Sequence, residues 1–269
     1  QLDGISVYGM SAWKIFTSGK IFKQINADIY HSQEPTIASY QAFAAVPDAI
    51  HVITCRDPRS FFDRLLELRY SNLKRVILSP INAWLYEGSA WVKKTVRDVD
   101  LVLSPAPSCL NQKIKELYGK DINPIFVPSP VDIPKSPVMK SDEPTIVFVG
   151  RWDRRKRIEK YFDLARNNPN LKFIAIGRSH DKRYDAHLRN TFGGIQNLEM
   201  PGFVSRFNSP GLEKYYEEAW IIVNTSAREG LPYTFIESLA YECAILSCLD
   251  PEGFASRFDY HADQDDIQR

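Results

Sequence analysis

The chain has 269 residues, of which 44% are hydrophobic and 25% charged, with 34 Lys and Arg against 33 Asp and Glu for a formal net charge of +1. These are the proportions of a globular protein with a buried core, and the length fits about two domains. They exclude the overall basic field that drives nucleic-acid binding, and no run approaches the ~18 consecutive apolar residues of a membrane span.

The sequence opens Gln1-Leu2-Asp3, without Met and without a charged-then-apolar leader, so the true start is expected upstream. Ala27–His31 reads as a strand and Thr36–Ala45 as a helix. His51–Cys55 is a second strand, followed by a helical region from Phe61. Asp100–Ser104 is a strand, Cys109–Tyr118 a helix and Pro124–Val127 a strand. Such alternation predicts parallel β/α units with helices on both faces. Six of the 17 prolines then fall between Pro124 and Pro144. Proline removes a donor and fixes φ, so roughly Pro128–Pro144 is predicted to be a linker between domains. The alternation restarts with strands at Thr145–Gly150, Lys172–Gly177, Leu198–Phe203, Ile221–Ser226 and Ala244–Leu249. Helices are expected at Ile158–Asn167, Gly211–Ala219 and about Tyr233–Tyr241. The predicted domains are residues 1–137 and 138–269.

Cys55, Cys109, Cys243 and Cys248 form no Cys-x-x-Cys pair, and no His stands at ligand spacing from them, so neither a zinc site nor a disulfide framework is expected. Cys243 and Cys248 read as small buried apolar residues. Phe61, Phe62, Leu65, Leu66, Val76 and Ile77 make an apolar face. It suits a lipid or an acceptor, with core packing the preferred reading. Arg56-Asp57-Pro58-Arg59 reads as a loop salt bridge.

Two segments carry chemistry. In Gly150-Arg151-Trp152-Asp153-Arg154-Arg155-Lys156-Arg157, five cations lie between a strand and a helix N-terminus, which itself carries about half a positive charge. An anion such as a diphosphate would reconcile the two. Arg154, Arg155 and Arg157, taken singly, read as a solvated basic face; Arg151 and Lys156 read as ligands. The second segment is Arg228-Glu229-Gly230-Leu231-Pro232-Tyr233-Thr234-Phe235-Ile236-Glu237. Gly230 lets backbone pass close to a ligand, Pro232 suits a first helical turn, and the amides near Tyr233 and Thr234 would point at an anion. Glu229 and Glu237 can accept paired hydroxyls. Thr234-x-x-Glu237 is equally a capping box, and on these ten residues the two readings of Glu237 stay even.

Glu229 and Glu237, eight apart, resemble the paired-glutamate motif of retaining GT-B glycosyltransferases of family 4. Arg151 and Lys156 resemble that family's diphosphate ligands, and Met200-Pro201-Gly202-Phe203-Val204 resembles the strand end whose backbone meets the nucleotide base. Ala27-Asp28-Ile29-Tyr30-His31 resembles its strand ending in His near the acceptor, although Gln33 stands where members often carry a second His. Pro128–Pro134 resembles the segment before the interdomain linker. The likeness is strong over about Thr145–Asp250 and weaker before it. Two departures stand out. No Gly-rich strand–loop–helix precedes Asp28, and the chain stops soon after Asp250. The expectation is therefore a chain truncated at both ends.

The resemblance implies a GT-B fold, with two Rossmann-like, doubly wound parallel-sheet domains facing a cleft, both incomplete. It implies sugar transfer from a nucleotide-diphosphate sugar to a hydroxyl with retention, without metal or cofactor. His31 and Glu229 would be catalytic. Arg151, Lys156, Phe203, Val204, Gly230, Leu231, Tyr233, Thr234 and Glu237 would bind the donor, with Glu237 on the ribose. Expected partners are the nucleotide sugar and a glycan, lipid-linked or small-molecule acceptor, with no nucleic acid. The expected compartment is the cytoplasm, with room for peripheral contact at the inner membrane face. A non-catalytic nucleotide-sugar-binding module and a GT-B epimerase remain alternatives; a dehydrogenase is disfavoured, because no Gly-x-Gly-x-x-Gly follows a strand.

Overall fold

The computed structural model describes residues 6, 7, 9, 12–71, 73–84, 88–205, 211–258 and 260–262. Two compact units emerge: Gln1–Ser60 with Leu73–Pro128, and Phe61–Asn72 with Ser129–Arg269. The boundary at Pro128 lies at the head of the proline cluster, nine residues before the predicted one. Residues Phe61–Asn72, predicted in the first domain, group with the second unit instead.

The described strands are β1 (Ile29–Ser32), β2 (Ile50–Thr54), β3 (Leu101–Ser104), β4 (Ile125–Phe126), β5 (Thr145–Val149), β6 (Lys172–Ile176), β7 (Leu198–Gly202), β8 (Ile221–Asn224), β9 (Ala244–Ser247) and β10 (Tyr260–His261). The helices up to the linker are α1 (Gly19–Ile25), α2 (Ile37–Ala45), α3 (Phe61–Arg69), α4 (Leu73–Ala83), α5 (Ala90–Asp98) and α6 (Pro107–Tyr118). After it come α7 (Ile158–Asn167), α8 (Lys182–Phe192), α9 (Glu213–Glu218), α10 (Tyr233–Ala240) and α11 (Phe254–Phe258). All nine predicted strands form, each within about three residues of its predicted ends; β10 was not foreseen.

In the first unit β1 to β4 pair in parallel in sequential order. Thr36 starts α2 with a capping box closed by Ser39, Ser89 caps Trp91 at the head of α5, and Pro107 opens α6, where its missing N–H costs nothing. Ile37, Ile53, Val92, Val96, Leu110 and Ile114 are all buried in its core. In the apolar stripe along α3 and α4, Leu66 is partly buried, but Phe61, Phe62 and Ile77 are 71%, 79% and 66% exposed, and Leu65 and Val76 are also exposed. The preference for core packing of this stripe is thus corrected. On α3 the charged side chains make the docking contacts, as described below.

The second unit holds a parallel sheet in the order β10-β9-β8-β5-β6-β7, the strand order of a Rossmann-type doubly wound sheet. Period-two alternation splits its faces. Ile146 and Phe148 of β5 pack with Ile158, Tyr161 and Phe162 of α7 and with Leu188 of α8. Val147 packs with Ile174, Ile222, Tyr216 and Tyr241 on the opposite face. Burying a side chain such as Phe162 contributes about 1.5–3 kcal/mol. The single proton of the Tyr161 hydroxyl lies between the Ile146 and Ile174 carbonyl oxygens, 2.9 and 3.0 Å away, fixing α7 against two strands; burial pushes its pKa well up. At the carboxyl edge Gly177 has φ +134°, and a Cβ there would lie 1.8 Å from the Gly150 carbonyl oxygen. Only glycine allows β5 and β6 to end so closely.

Candidate functional site

In a sheet of this order the chain first winds one way from β5 and then the other, so the reversal lies between β5 and β8. Loops leaving the carboxyl ends of those two strands bound the crevice where such folds take ligands. Both chemistry-bearing segments of the sequence are those loops.

The loop after β5 passes through a short 3₁₀ turn, Arg154–Lys156, and enters α7 at Arg157, which takes the left-handed conformation at φ 48° and ψ 45°. That geometry is uncommon for a residue with a Cβ and is held here by its side chain. Arg157 Nε donates to the Thr225 carbonyl at 2.7 Å and Nη2 to that of Ser226 at 3.3 Å. Thr225 Oγ1 returns a bond to the Lys156 carbonyl at 2.6 Å, and Ala227 N bonds that of Arg155 at 2.9 Å. The two loops are therefore laced into one body.

Lys156 Nζ forms an ion pair and hydrogen bond with Glu229 Oε1 across the crevice, with both side chains largely buried. Burial pushes the Glu229 carboxyl up, but Lys156, which both attracts it and hydrogen-bonds it, and the nearby Arg155 hold it below its ordinary range. Arg151 is exposed and lies 3.3 Å from Asp153. Arg154 stacks over the Tyr184 ring at 4.1 Å. Arg155 Nη1 donates to Glu67 Oε1 at 2.9 Å, as does Arg228 Nη1, while Arg228 Nε lies 3.0 Å from Asp63 Oδ1.

The reading of Arg155 and Arg157 as a solvated basic face is corrected. Arg157 is 8% exposed and bonded to backbone, and Arg155 is neutralised by a helix carboxylate. Asp63, Glu67, Thr225 and Tyr216 also neighbour the site, although no motif singles them out in the sequence. The i,i+4 spacing of Asp63 and Glu67, which sets both on one helix face, was the available signal.

Helix α10 begins at Tyr233 with Pro232 as its N-cap and no side-chain cap. Thr234 is therefore inside the helix, and the capping-box reading of Glu237 is overturned. Instead Glu237 is 5% exposed and its Oε2 accepts from the Tyr216 hydroxyl at 2.7 Å. The Tyr233 and Thr234 amides fall in the first turn, before any i−4 acceptor exists. Gly230 is buried and Leu231 partly so, between Glu229 and the helix. At the end of β7, Gly202 takes φ +85°. Phe203 beyond it is 65% exposed with the Arg178 guanidinium 5.5 Å from its ring centre, and Val204 packs partly into the core.

His31 lies in the first unit at the carboxyl end of β1. Its Nε2 is 2.7 Å from Thr54 Oγ1, and the Gln33 amide nitrogen approaches the ring at 3.4–3.5 Å. It is exposed. Among the described residues no three His, Cys, Asp or Glu come together as a metal-ligand group, and no helix is long and apolar enough to cross a membrane.

Residues 132–258 match the family model described as Glycosyl transferases group 1. No curated protein matches the sequence. Among solved structures, the chain is similar to sucrose-phosphate synthase from Thermosynechococcus elongatus, with TM-score 0.66 and 16% identity over 92% of this chain and 64% of that one. A TarM variant from S. aureus, in complex with Fondaparinux, alpha-GlcNAc-glycerol and UDP, aligns with TM-score 0.67 and 15% identity over 94% of this chain and 51% of that one. HepE from Anabaena, in complex with UDP and glucose, aligns with TM-score 0.65 and 12% identity over 98% and 72%. The fold is that of GT-B glycosyltransferases, with two Rossmann-like α/β parallel-sheet units. The chain spans about half to two thirds of the length of the first of these structures.

Proposed function

We propose that this chain belongs to a retaining glycosyltransferase, of the family 4 type, that moves a sugar from a nucleotide-diphosphate sugar to an acceptor hydroxyl without a metal ion. The observation that carries this reading is the Lys156–Glu229 pair at the reversal point between β5 and β8. An ammonium has three donors. Lys156 can keep Glu229 and still reach a phosphate oxygen, while Arg151, exposed at the same loop, supplies a second cation. The first-turn amides of Tyr233 and Thr234 add the positive end of a helix.

In the proposed reaction the acceptor oxygen bonds to the anomeric carbon on the face that the diphosphate leaves, and its proton passes to the departing diphosphate oxygen. The bond from that carbon to the diphosphate oxygen breaks, and the diphosphate leaves with the electron pair. Fixed cations and amides stabilise that developing charge, the largest single contribution in most such sites. Glu229 holds the donor sugar, Glu237 the ribose, and Gly230 and Leu231 the intervening backbone. Phe203 and Val204 border the base, and His31 serves the reacting centre. UDP, present in the TarM and HepE structures, is the first nucleotide to test. Candidate acceptors are a glycan, a lipid-linked sugar or a small molecule; the exposed Phe61 and Phe62 suit an apolar acceptor or a membrane surface. Four cysteines without a disulfide-framework spacing suit the reducing cytoplasm.

Product analysis with a panel of nucleotide sugars tests the proposal. Turnover should release a nucleoside diphosphate and a glycoside of unchanged anomeric configuration, undiminished by a chelator. Binding without release would identify a nucleotide-sugar-binding module instead, release of an epimerised sugar would identify an epimerase, and a need for Mn²⁺ or Mg²⁺ would remove the leaving-group mechanism.

A further inference from the structure

Glu237 is a buried carboxylate with a side-chain partner 21 residues earlier in the chain. Tyr216, on α9, is 2% exposed and donates its hydroxyl to Glu237 Oε2 at 2.7 Å. Its ring stacks on Tyr241 at 5.6 Å and 26°. The backbone around both rings is pinned by one ammonium: Lys140 Nζ donates to the Tyr241 and Ala219 carbonyls at 2.6 Å each and to that of Tyr216 at 3.3 Å. Cys243 Sγ adds a bond to the Tyr216 carbonyl at 3.2 Å. Tyr216 and Glu237 also line one pocket, together with Asp132, Leu212 and Tyr241.

A carboxylate recognises a vicinal diol only when its plane is fixed, because both oxygens must meet two hydroxyls at once. A glutamate side chain has three rotatable bonds before that plane is set. The Tyr216 hydroxyl grips one oxygen, and the Tyr241 stack and Lys140 hold the hydroxyl still. We propose that Tyr216 is a positioning residue for the ribose: it orients Glu237 so that the carboxylate accepts the 2′- and 3′-hydroxyls of the nucleotide, and so sets the preference for ribonucleotides over deoxynucleotides. This rests on the reading of Glu237 as the ribose ligand.

The test is a ratio of affinities, measured calorimetrically on the full chain with UDP, 2′-deoxy-UDP and 3′-deoxy-UDP. The native chain should prefer UDP by about tenfold or more, as expected for a bond to a charged acceptor. Tyr216→Phe keeps the ring and its stacking, and should bring the ratio to within about twofold in a protein that still folds, its melting temperature lowered by the loss of one bond to a charged acceptor. Glu237→Gln should also collapse the ratio. A native ratio in Tyr216→Phe beside a collapsed one in Glu237→Gln would overturn the positioning role alone. A native ratio in Glu237→Gln would overturn the ribose reading and this proposal with it.

Discussion

Glu67 on α3 accepts hydrogen bonds from Arg155 and Arg228 together, each through Nη1 at 2.9 Å, so one carboxylate ties the loop after β5 to the loop after β8. Arg228 is 4% exposed and has Asp63 as its other carboxylate neighbour. A buried guanidinium needs such counter-charges, because removing one partner strands the other in a poorly solvating interior. The charges of Asp63 and Glu67 thus tie helix α3 to the loops after β5 and β8.

Glu67→Gln should destabilise the protein by about 1–3 kcal/mol, less than for a fully buried pair because Glu67 retains some solvent contact. Thermal and urea melting check this. Unchanged melting would mean that Asp63 alone neutralises Arg228.

Arg151 and Arg157 are six apart and should behave oppositely. Arg157→Ala removes the bonds to the buried carbonyls of Thr225 and Ser226 and leaves a left-handed residue without its anchor. Stability should fall by about 2–3 kcal/mol, with nucleotide affinity of the folded fraction unchanged. Arg151→Ala should shift stability by no more than ~0.5 kcal/mol and weaken nucleoside-diphosphate binding by about 1.5–3 kcal/mol. Melting curves paired with titrations of both variants separate the two roles; equal behaviour would refute the assignment.

The Glu229 carboxyl is held below its ordinary range by Lys156 and Arg155 despite its burial. A carboxyl depressed on folding stabilises the folded state above its unfolded pKa of about 4.3. That contribution fades as pH falls through the lower folded value. Carbon-13 titration of the side chain should place its midpoint below that of free glutamate. In Lys156→Met burial acts with less opposition, and the midpoint should rise. A midpoint unmoved by Lys156→Met would show that the ion pair does not govern this group.

Much of this was legible beforehand, for reasons that differ from residue to residue. Apolar runs such as Thr-Ile-Val-Phe-Val over 145–149 announce a strand buried on both faces, and glycine and proline at the loop ends mark where each strand stops. Lys156 and Glu229 could be picked out because their loops follow strands. What the sequence withholds is the direction of side chains across loops. Arg157 looks like one more surface cation until a left-handed turn aims it at Thr225 and Ser226. Thr234-x-x-Glu237 fits a capping box as text, but Pro232 starts the helix two residues too early for it. Likewise, helical periodicity in α3 reveals an apolar face without saying whether anything covers it.

Calorimetric titration of UDP into the full chain and into its Lys156→Met variant decides whether the donor diphosphate sits between the loops laced after β5 and β8. Lys156→Met keeps most of the side-chain volume and removes the charge. The native chain should bind UDP, and the variant should bind it at least about tenfold more weakly, the loss expected for one charge-assisted bond to phosphate. Equal affinities in two folded proteins would contradict that placement and leave Lys156 as a structural partner of Glu229.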